Sequence, residues 1–441
     1  MVLMSLFPIT RTHVRFALVA LQIAMYAILE GAKPASVVDW VAPVVFIAIP
    51  VAVASLGTMR PSSVLIWSIT FAGVALVLPQ SFLQSIDRPS GLDNFMLGIG
   101  LILGMTVLLF VCHAFVIAGE VDRRWIASYP TYVDTAWTLA AQALLLILGQ
   151  AMLWGIYALV WWILDKSEPN GERTGLEFLR WLLCSAMSLT VLAVFELSER
   201  RPGLIRAIRT ALMTVLSWLL PLAVLSGIFA LAKIALRDPR QLWLDPDALA
   251  ALPIAAVGLI LVINAQFRDG GNQADRFRLL TASRLAAVCL LFVVVLLYAL
   301  HLATRYLDYQ WTPGLVQAAA ILAVLVCYGI GYAGTAIFSG KAMRRLPVIN
   351  VAAALLGIAL TLAAATPLFS PTRLAVAYQI ARLKSGEIAP EKFDYELLAF
   401  YAAPYGRPAL ERLIEVRGGP TSDEVARRAQ AALSADPKRS R

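Results

Sequence analysis

This 441-residue chain predicts an all-α fold: a polytopic transmembrane helix bundle carrying a small helical carboxy-terminal domain. Three observations predict it. Hydrophobic residues make up 60% of the chain and charged residues only 15%, where an ordinary soluble domain holds about 25% charged. The apolar residues fall into blocks of about 20, the length that carries a helix across roughly 30 Å of hydrocarbon. The blocks end near Leu368, and from Ser370 onward the sequence turns polar and charged. Residues 1–369 are therefore read as the bundle and 370–441 as the tail.

In order, the apolar blocks predict eleven spans, at 14–29, 37–56, 64–82, 95–119, 137–164, 181–197, 211–236, 249–267, 285–304, 315–338 and 348–368. The first resembles a signal peptide, with Arg11 and Arg15 leading an apolar run. Glu30 occupies a position where cleavage needs a small residue, so the reading is an uncleaved span. Pro43, Pro50, Pro79, Pro221 and Pro253 fall inside spans and predict kinks, because each removes an intrahelical donor. Trp161, Trp162, Trp181 and Trp311 sit at block ends, where amphipathic rings favour the membrane interface.

Lys and Arg are distributed unevenly between alternate turns. Sixteen fall on the amino-terminal side, among them Arg60, Arg123, Arg124 and Arg200, against nine on the other. The positive-inside rule then places the amino terminus in the cytoplasm and, after eleven spans, the tail outside. Topology and anionic headgroups account for the net charge of +9, and no basic stripe interleaved with aromatics suggests nucleic acid. Membrane lipids are the partner the composition itself implies.

The tail reads as four short helices. Ser370 and Pro371 open the first, with Val376, Ile380 and Leu383 inward and Gly386 as its stop. A second covers residues 390–401, stacking Phe393, Leu397 and Phe400. After a link at Tyr405, Gly406 and Arg407, a third runs through Leu410 and Leu413 to Gly418 and Gly419. Thr421 to Glu424 form a capping box for a fourth, with Val425, Ala429 and Leu433 on one stripe. So small a core is expected to lean on the bundle or on a partner.

Chemistry is sparse. Gly329, Gly331 and Gly334 match the spacing of a dinucleotide fingerprint but lie mid-span, where close helix packing explains them; Gly98, Gly100 and Gly104 echo that cluster. Intramembrane polar groups are the usual pointers to function in a bundle. The candidates are His113, Glu196, Asn264 and His301, with Asn264 and Asn350 read as interhelical hydrogen-bonding groups. Asp238, Asp245 and Asp247 read as a surface turn, and Glu30 and Asp39 flank a loop too short for a substrate domain. Cys112, Cys184, Cys289 and Cys327 lie in separate blocks without metal spacing. No catalytic residue, metal set or cofactor is expected.

The tail segments Ser370-Pro371-Thr372-Arg373-Leu374, Gln379 with Arg382-Leu383, Lys392-Phe393-Asp394 and Tyr405-Gly406-Arg407 with Ala409-Leu410 resemble a recurring carboxy-terminal pattern. It is similar to that of the bacterial membrane family catalogued as domain of unknown function 4153. The resemblance implies a multi-pass bundle in a bacterial inner membrane with a helical tail, and no particular reaction. Within it Arg373, Asp394, Tyr405 and Arg407 are the candidate binding residues, read as a polar patch for an envelope partner or as the contacts that hold the tail together. The functional expectation is an inner-membrane scaffold or accessory protein. The alternative is a transporter or flippase for a lipid-like or small apolar substrate through the kinked spans.

Overall fold

The computed structural model describes residues 10–31, 35–84, 92–167, 174–236, 248–267, 278–339, 343–415 and 420–435. Among the described residues the structure is helical, with no strand. Helices α1 (Arg11–Gly31), α2 (Ala35–Ser55), α3 (Pro61–Gln84), α4 (Leu92–Asp122), α5 (Tyr129–Ser167), α6 (Thr174–Arg200) and α7 (Pro202–Leu236) are followed by α8 (Ala248–Phe267), α9 (Arg278–Tyr309), α10 (Pro313–Ser339) and α11 (Leu346–Ala365). Each covers one apolar block. Pro221 and Pro253 lie inside α7 and α8, which continue through them.

The expected count of eleven spans is corrected. Among the described residues seven helices, α5 to α11, are long and apolar enough to cross a membrane. In α1 the apolar run is diluted by Arg11, His13 and Arg15 at its start and by Gln22 further on. The described side chains of α2 and α3 supply only the shorter apolar stretches Val45–Ser55 and Pro61–Leu76. The first half of α4, with Gly98, Gly100 and Gly104, lies outside the described side chains.

The chain divides into two compact units: Met1–Leu76 with Val107–Met213, and Val77–Thr106 with Thr214–Arg441. In the first, α1 packs against α2 and α6, and α6 against α5. Val19, Ile49, Val53, Leu192 and Phe195 form the core there. The outer face of α5 exposes Ile147, Leu148, Met152, Trp154, Ile156 and Leu159; such a surface is costly in water and costs nothing against lipid tails.

In the second unit α8, α9, α10 and α11 pack in sequence. Glycine allows the close approach of α10 and α11: a Cβ on Gly331 would meet Ile349 Cγ2 at 2.7 Å. Gly329 lies against Val295 of α9 in the same way. The glycine cluster is a packing device inside one continuous helix, which leaves no strand–turn–helix for a dinucleotide to use.

The tail belongs to this second unit and has a core of its own. Helix α12 (Pro371–Lys384) starts at the expected Ser370–Pro371 step. It ends at Gly386, whose φ of 75° is readily adopted only by glycine. There the Gly386 and Glu387 amides close on the Leu383 and Arg382 carbonyls, satisfying the last turn of the helix. Val376 and Leu383 join Phe393, Leu398, Phe400, Leu410, Leu413, Val425 and Ala429 in the core.

The remaining tail helices differ from expectation in three ways. Residues 390–401 are not one helix: a 3-10 turn (Pro390–Lys392) gives way to extended backbone at Phe393, and a new helical turn closes in the π segment Leu397–Tyr401. The break lets Phe393 turn inward beside Tyr395, with ring centroids 4.8 Å apart. Tyr405, Gly406 and Arg407 are not a link but part of α13 (Ala403–Glu415). Helix α14 (Pro420–Ser434) already includes residues 421–424, and the Glu424 carboxylate goes to Arg427 (2.6 Å) and Arg428 (2.5 Å) instead of closing a capping box. Those two guanidinium groups hold Glu424 down to a pKa of about 2. Gly418 and Gly419 lie outside the described residues.

Candidate functional site

The most concentrated polar chemistry in the first unit forms around Arg15. On α1, Arg15, Val19 and Gln22 recur at i, i+4 and i+7 and are all buried, so the arginine lies on the helix's packed face. Its guanidinium is 1% exposed and its donors reach three places: Nε to the Val53 carbonyl (3.0 Å), Nη1 to Glu196 Oε1 (3.2 Å) and Nη2 to Glu199 Oε1 (2.6 Å). Thr12 donates to Glu196 Oε2 at 3.2 Å, and Arg200 reaches the same oxygen at 3.3 Å. Arg11 Nη1 adds a bond to the Gly57 carbonyl at 3.1 Å. The network joins the start of α1, the end of α2 and the end of α6.

Burying an ion carries a desolvation cost of several kcal/mol, offset only when partners and hydrogen bonds are well placed. The planar fork of arginine suits this, since it addresses two carboxylates and a carbonyl at once. Glu196, whose side chain is 11% exposed, has Arg15 as its buried counter-charge and Arg200 on its open side; Glu199 is more exposed, at 39%.

The second unit holds a different polar group. Asn264 on α8 donates to Tyr332 Oη at 2.9 Å and to the Ile260 carbonyl at 2.9 Å. Tyr332 on α10 donates to Asn350 Oδ1 at 2.5 Å, and Asn350 on α11 returns a bond to Asn264 Oδ1 at 2.6 Å. The three side chains close a ring between three helices, as the sequence reading of Asn264 and Asn350 anticipates. Replacing Asn350 with leucine breaks two of its bonds, and a loss of about 1–2 kcal/mol is expected. The midpoint of unfolding in mixed micelles measures it, and an unchanged midpoint would contradict the ring's role.

No family model, curated protein or solved structure matches this chain.

Glu196 joins the Arg15 network, and Asn264 joins the ring. His113 is 8% exposed; its Nδ1 accepts the Trp67 indole N–H at 2.8 Å, with Trp67 stacked on it and Phe71 edge-on. His301 on α9 is fully buried, and its carbonyl accepts the Thr304 hydroxyl. The two histidines belong to different units. Among the described residues no group of three His, Cys, Asp or Glu side chains is placed to hold a metal ion. Asp238, Asp245 and Asp247, and the side chains of Glu30 and Asp39, lie outside the described residues.

Of the four tail candidates, Arg373 folds back onto the Pro367 carbonyl at 3.1 Å. Asp394 Oδ1 accepts the Leu397 amide at 2.8 Å, the geometry of an N-cap for the turn that follows. Tyr405 is half-buried against the tail core, and Arg407 is exposed. No hydrogen bond or ion pair joins any two of the four among the described residues.

The tail is tied to the bundle of its own unit at the turn between α9 and α10. Tyr378 on α12 shares a 3.0 Å hydrogen bond with Tyr306 and donates to Gln310 Oε1 at 3.2 Å. Gln379 donates to the Trp311 carbonyl at 3.2 Å. The bond with Tyr306 raises the Tyr378 phenol above its ordinary pKa, so that hydroxyl stays protonated near neutral pH. The tail and this turn share one face of the unit, as two membrane crossings by α10 and α11 require. Sequence reasoning missed Arg15, which it counted as a flanking topology charge. The signal was its i, i+4, i+7 relation to Val19 and Gln22.

Proposed function

We propose that this chain is an inner-membrane scaffold or accessory protein of the bacterial envelope, akin to the family named domain of unknown function 4153, whose bundle presents the tail to a protein partner outside the cytoplasm. The observation that carries the reading is the fastening of α12 to the α9–α10 turn through Tyr306, Tyr378, Gln379 and Trp311. A tail with its own core and a fixed seat is held as a docking surface and does not trail from the last span. The excess of Lys and Arg on the amino-terminal side supports the orientation. On this reading Arg407 and the neighbouring exposed face of α13 meet the partner, with Arg373, Asp394 and Tyr405 setting the shape behind it.

The test is a photo-crosslinking residue at Arg407 in intact membranes, combined with a topology reporter fused after Arg441. One defined protein captured, with the reporter active outside, is the expected result. A tail that captures nothing and is deleted without phenotype rules the scaffold out. Transport of a lipid-like or small apolar substrate is the second reading, favoured by the buried Arg15–Glu196 pair, since ionisable groups within a bundle often mark a pathway. Substrate-dependent protection of cysteines engineered near Pro221 and Pro253 would support it.

A further inference from the structure

The turn between α4 and α5 is built firmly and displays side chains that nothing in the first unit uses. Asp122 accepts the Ser128 amide at 2.6 Å and the Thr131 hydroxyl at 2.8 Å. The Ala127 amide donates to Tyr132 Oη at 3.0 Å, and the Tyr132 ring packs on Phe115 with centroids 4.4 Å apart. The other acid of the turn, Glu120, is engaged by the Ser63 hydroxyl at 2.7 Å and by Arg60 at 4.0 Å.

Out of this braced base project Arg123, Arg124, Trp125 and Ile126. Trp125 is 102% exposed and Ile126 61%. Arg124 lies near enough to Asp122 to help hold that carboxyl below its usual range, yet neither Arg123 nor Arg124 makes a side-chain hydrogen bond or ion pair among the described residues. Arg123 also sits at φ 52°, a region glycine or asparagine enters more readily, so the chain carries an arginine where the backbone disfavours one.

A rigid tip with an indole, an isoleucine and two uncommitted guanidinium groups suits one environment. It lies directly beyond the apolar part of α4, at the level where indole rings favour the interface and where arginines meet lipid phosphates. In water the same tip would leave Trp125 and Ile126 exposed with no return. We propose that the α4–α5 turn is a binding site for an anionic phospholipid of the surrounding membrane: Arg123 and Arg124 take the phosphate and Trp125 and Ile126 enter the interface beside it. Asp122 and Glu120, the acids nearest the arginines, are each already engaged and leave both free to do so.

Native mass spectrometry of the full-length protein, titrated with phosphatidylglycerol or phosphatidylcholine in detergent, tests the site. The protein is expected to retain phosphatidylglycerol over phosphatidylcholine. Arg123→Gly with Arg124→Ala removes both guanidinium groups without straining the turn, and should weaken phosphatidylglycerol binding about 30-fold. Arg201→Ala with Arg206→Ala is the control: it removes the same charge from exposed positions on the α6–α7 side and should leave that binding within about 3-fold, because residues 200–210 carry no tryptophan to anchor a headgroup site at the interface. Equal retention of the two lipids by the unmodified protein, an equal loss in the control, or unchanged retention after Arg123→Gly and Arg124→Ala would each overturn the proposal.

Discussion

Arg15→Met is expected to be among the most damaging single substitutions in the first unit. Glu196, with a side chain 11% exposed, would lose its buried counter-charge while the Val53 carbonyl lost its donor. Removing one partner of a buried ion pair costs about 3–5 kcal/mol, because the remaining charge is stranded. The readout is the midpoint temperature at which the detergent-solubilised protein stops eluting as a single species. Adding Glu196→Gln should recover part of the loss, since the better-buried of the two carboxylates then carries no charge. Arg15→Lys should fall between, because one ammonium cannot address both carboxylates and the carbonyl as a fork does. Equal midpoints for Arg15→Met and the unmodified protein would show that the network adds nothing to stability.

Gly406→Ala is expected to disrupt the tail. A Cβ there would lie 2.0 Å from the Leu398 carbonyl oxygen and 2.7 Å from its carbonyl carbon. These are backbone atoms, so α13 must move off the π segment against which it packs. Overpacking of this kind costs about 1–3 kcal/mol, occasionally more, and the upper end is expected where no side chain can yield. Hydrogen exchange should show protection lost across 397–410, with the amides of α9 and α10 unaffected. Unchanged exchange in 397–410 would contradict the close approach.

Much of this architecture is legible in the residues alone, for identifiable reasons. Helices in lipid must satisfy their backbones internally, so long apolar runs permit few alternatives, and α5 to α11 follow. Gly386 ends α12 because the stop needs a positive φ. Asn264 and Asn350 meet because half-buried amides in an apolar bundle need partners. Tertiary preferences that local patterns do not encode account for the rest. Residues 390–401 break because burying Phe393 and Tyr395 together outweighs a continuous helix, and Asp394, left at the break, becomes its cap. Glu424 has two arginines within one turn, and their charge competes with a capping role. Arg15 has the position of a topology charge at the head of an apolar run, and only the burial of Val19 and Gln22 on the same face marks it as a packed residue. The four tail candidates stand out in the sequence by residue type; where each side chain goes depends on folds of the chain that spacing does not reveal.

The seat of the tail also has an order in time. Tyr306, Gln310 and Trp311 leave the ribosome about 70 residues before Tyr378 and Gln379. Because domains generally consolidate from the amino-terminal end during synthesis, the receptacle is in place before the segment that fills it emerges. Assembly thereby inspects itself: if only one of α10 and α11 crossed, α12 would be stranded on the opposite face from its tyrosine and tryptophan, leaving an unseated appendage for proteases to remove.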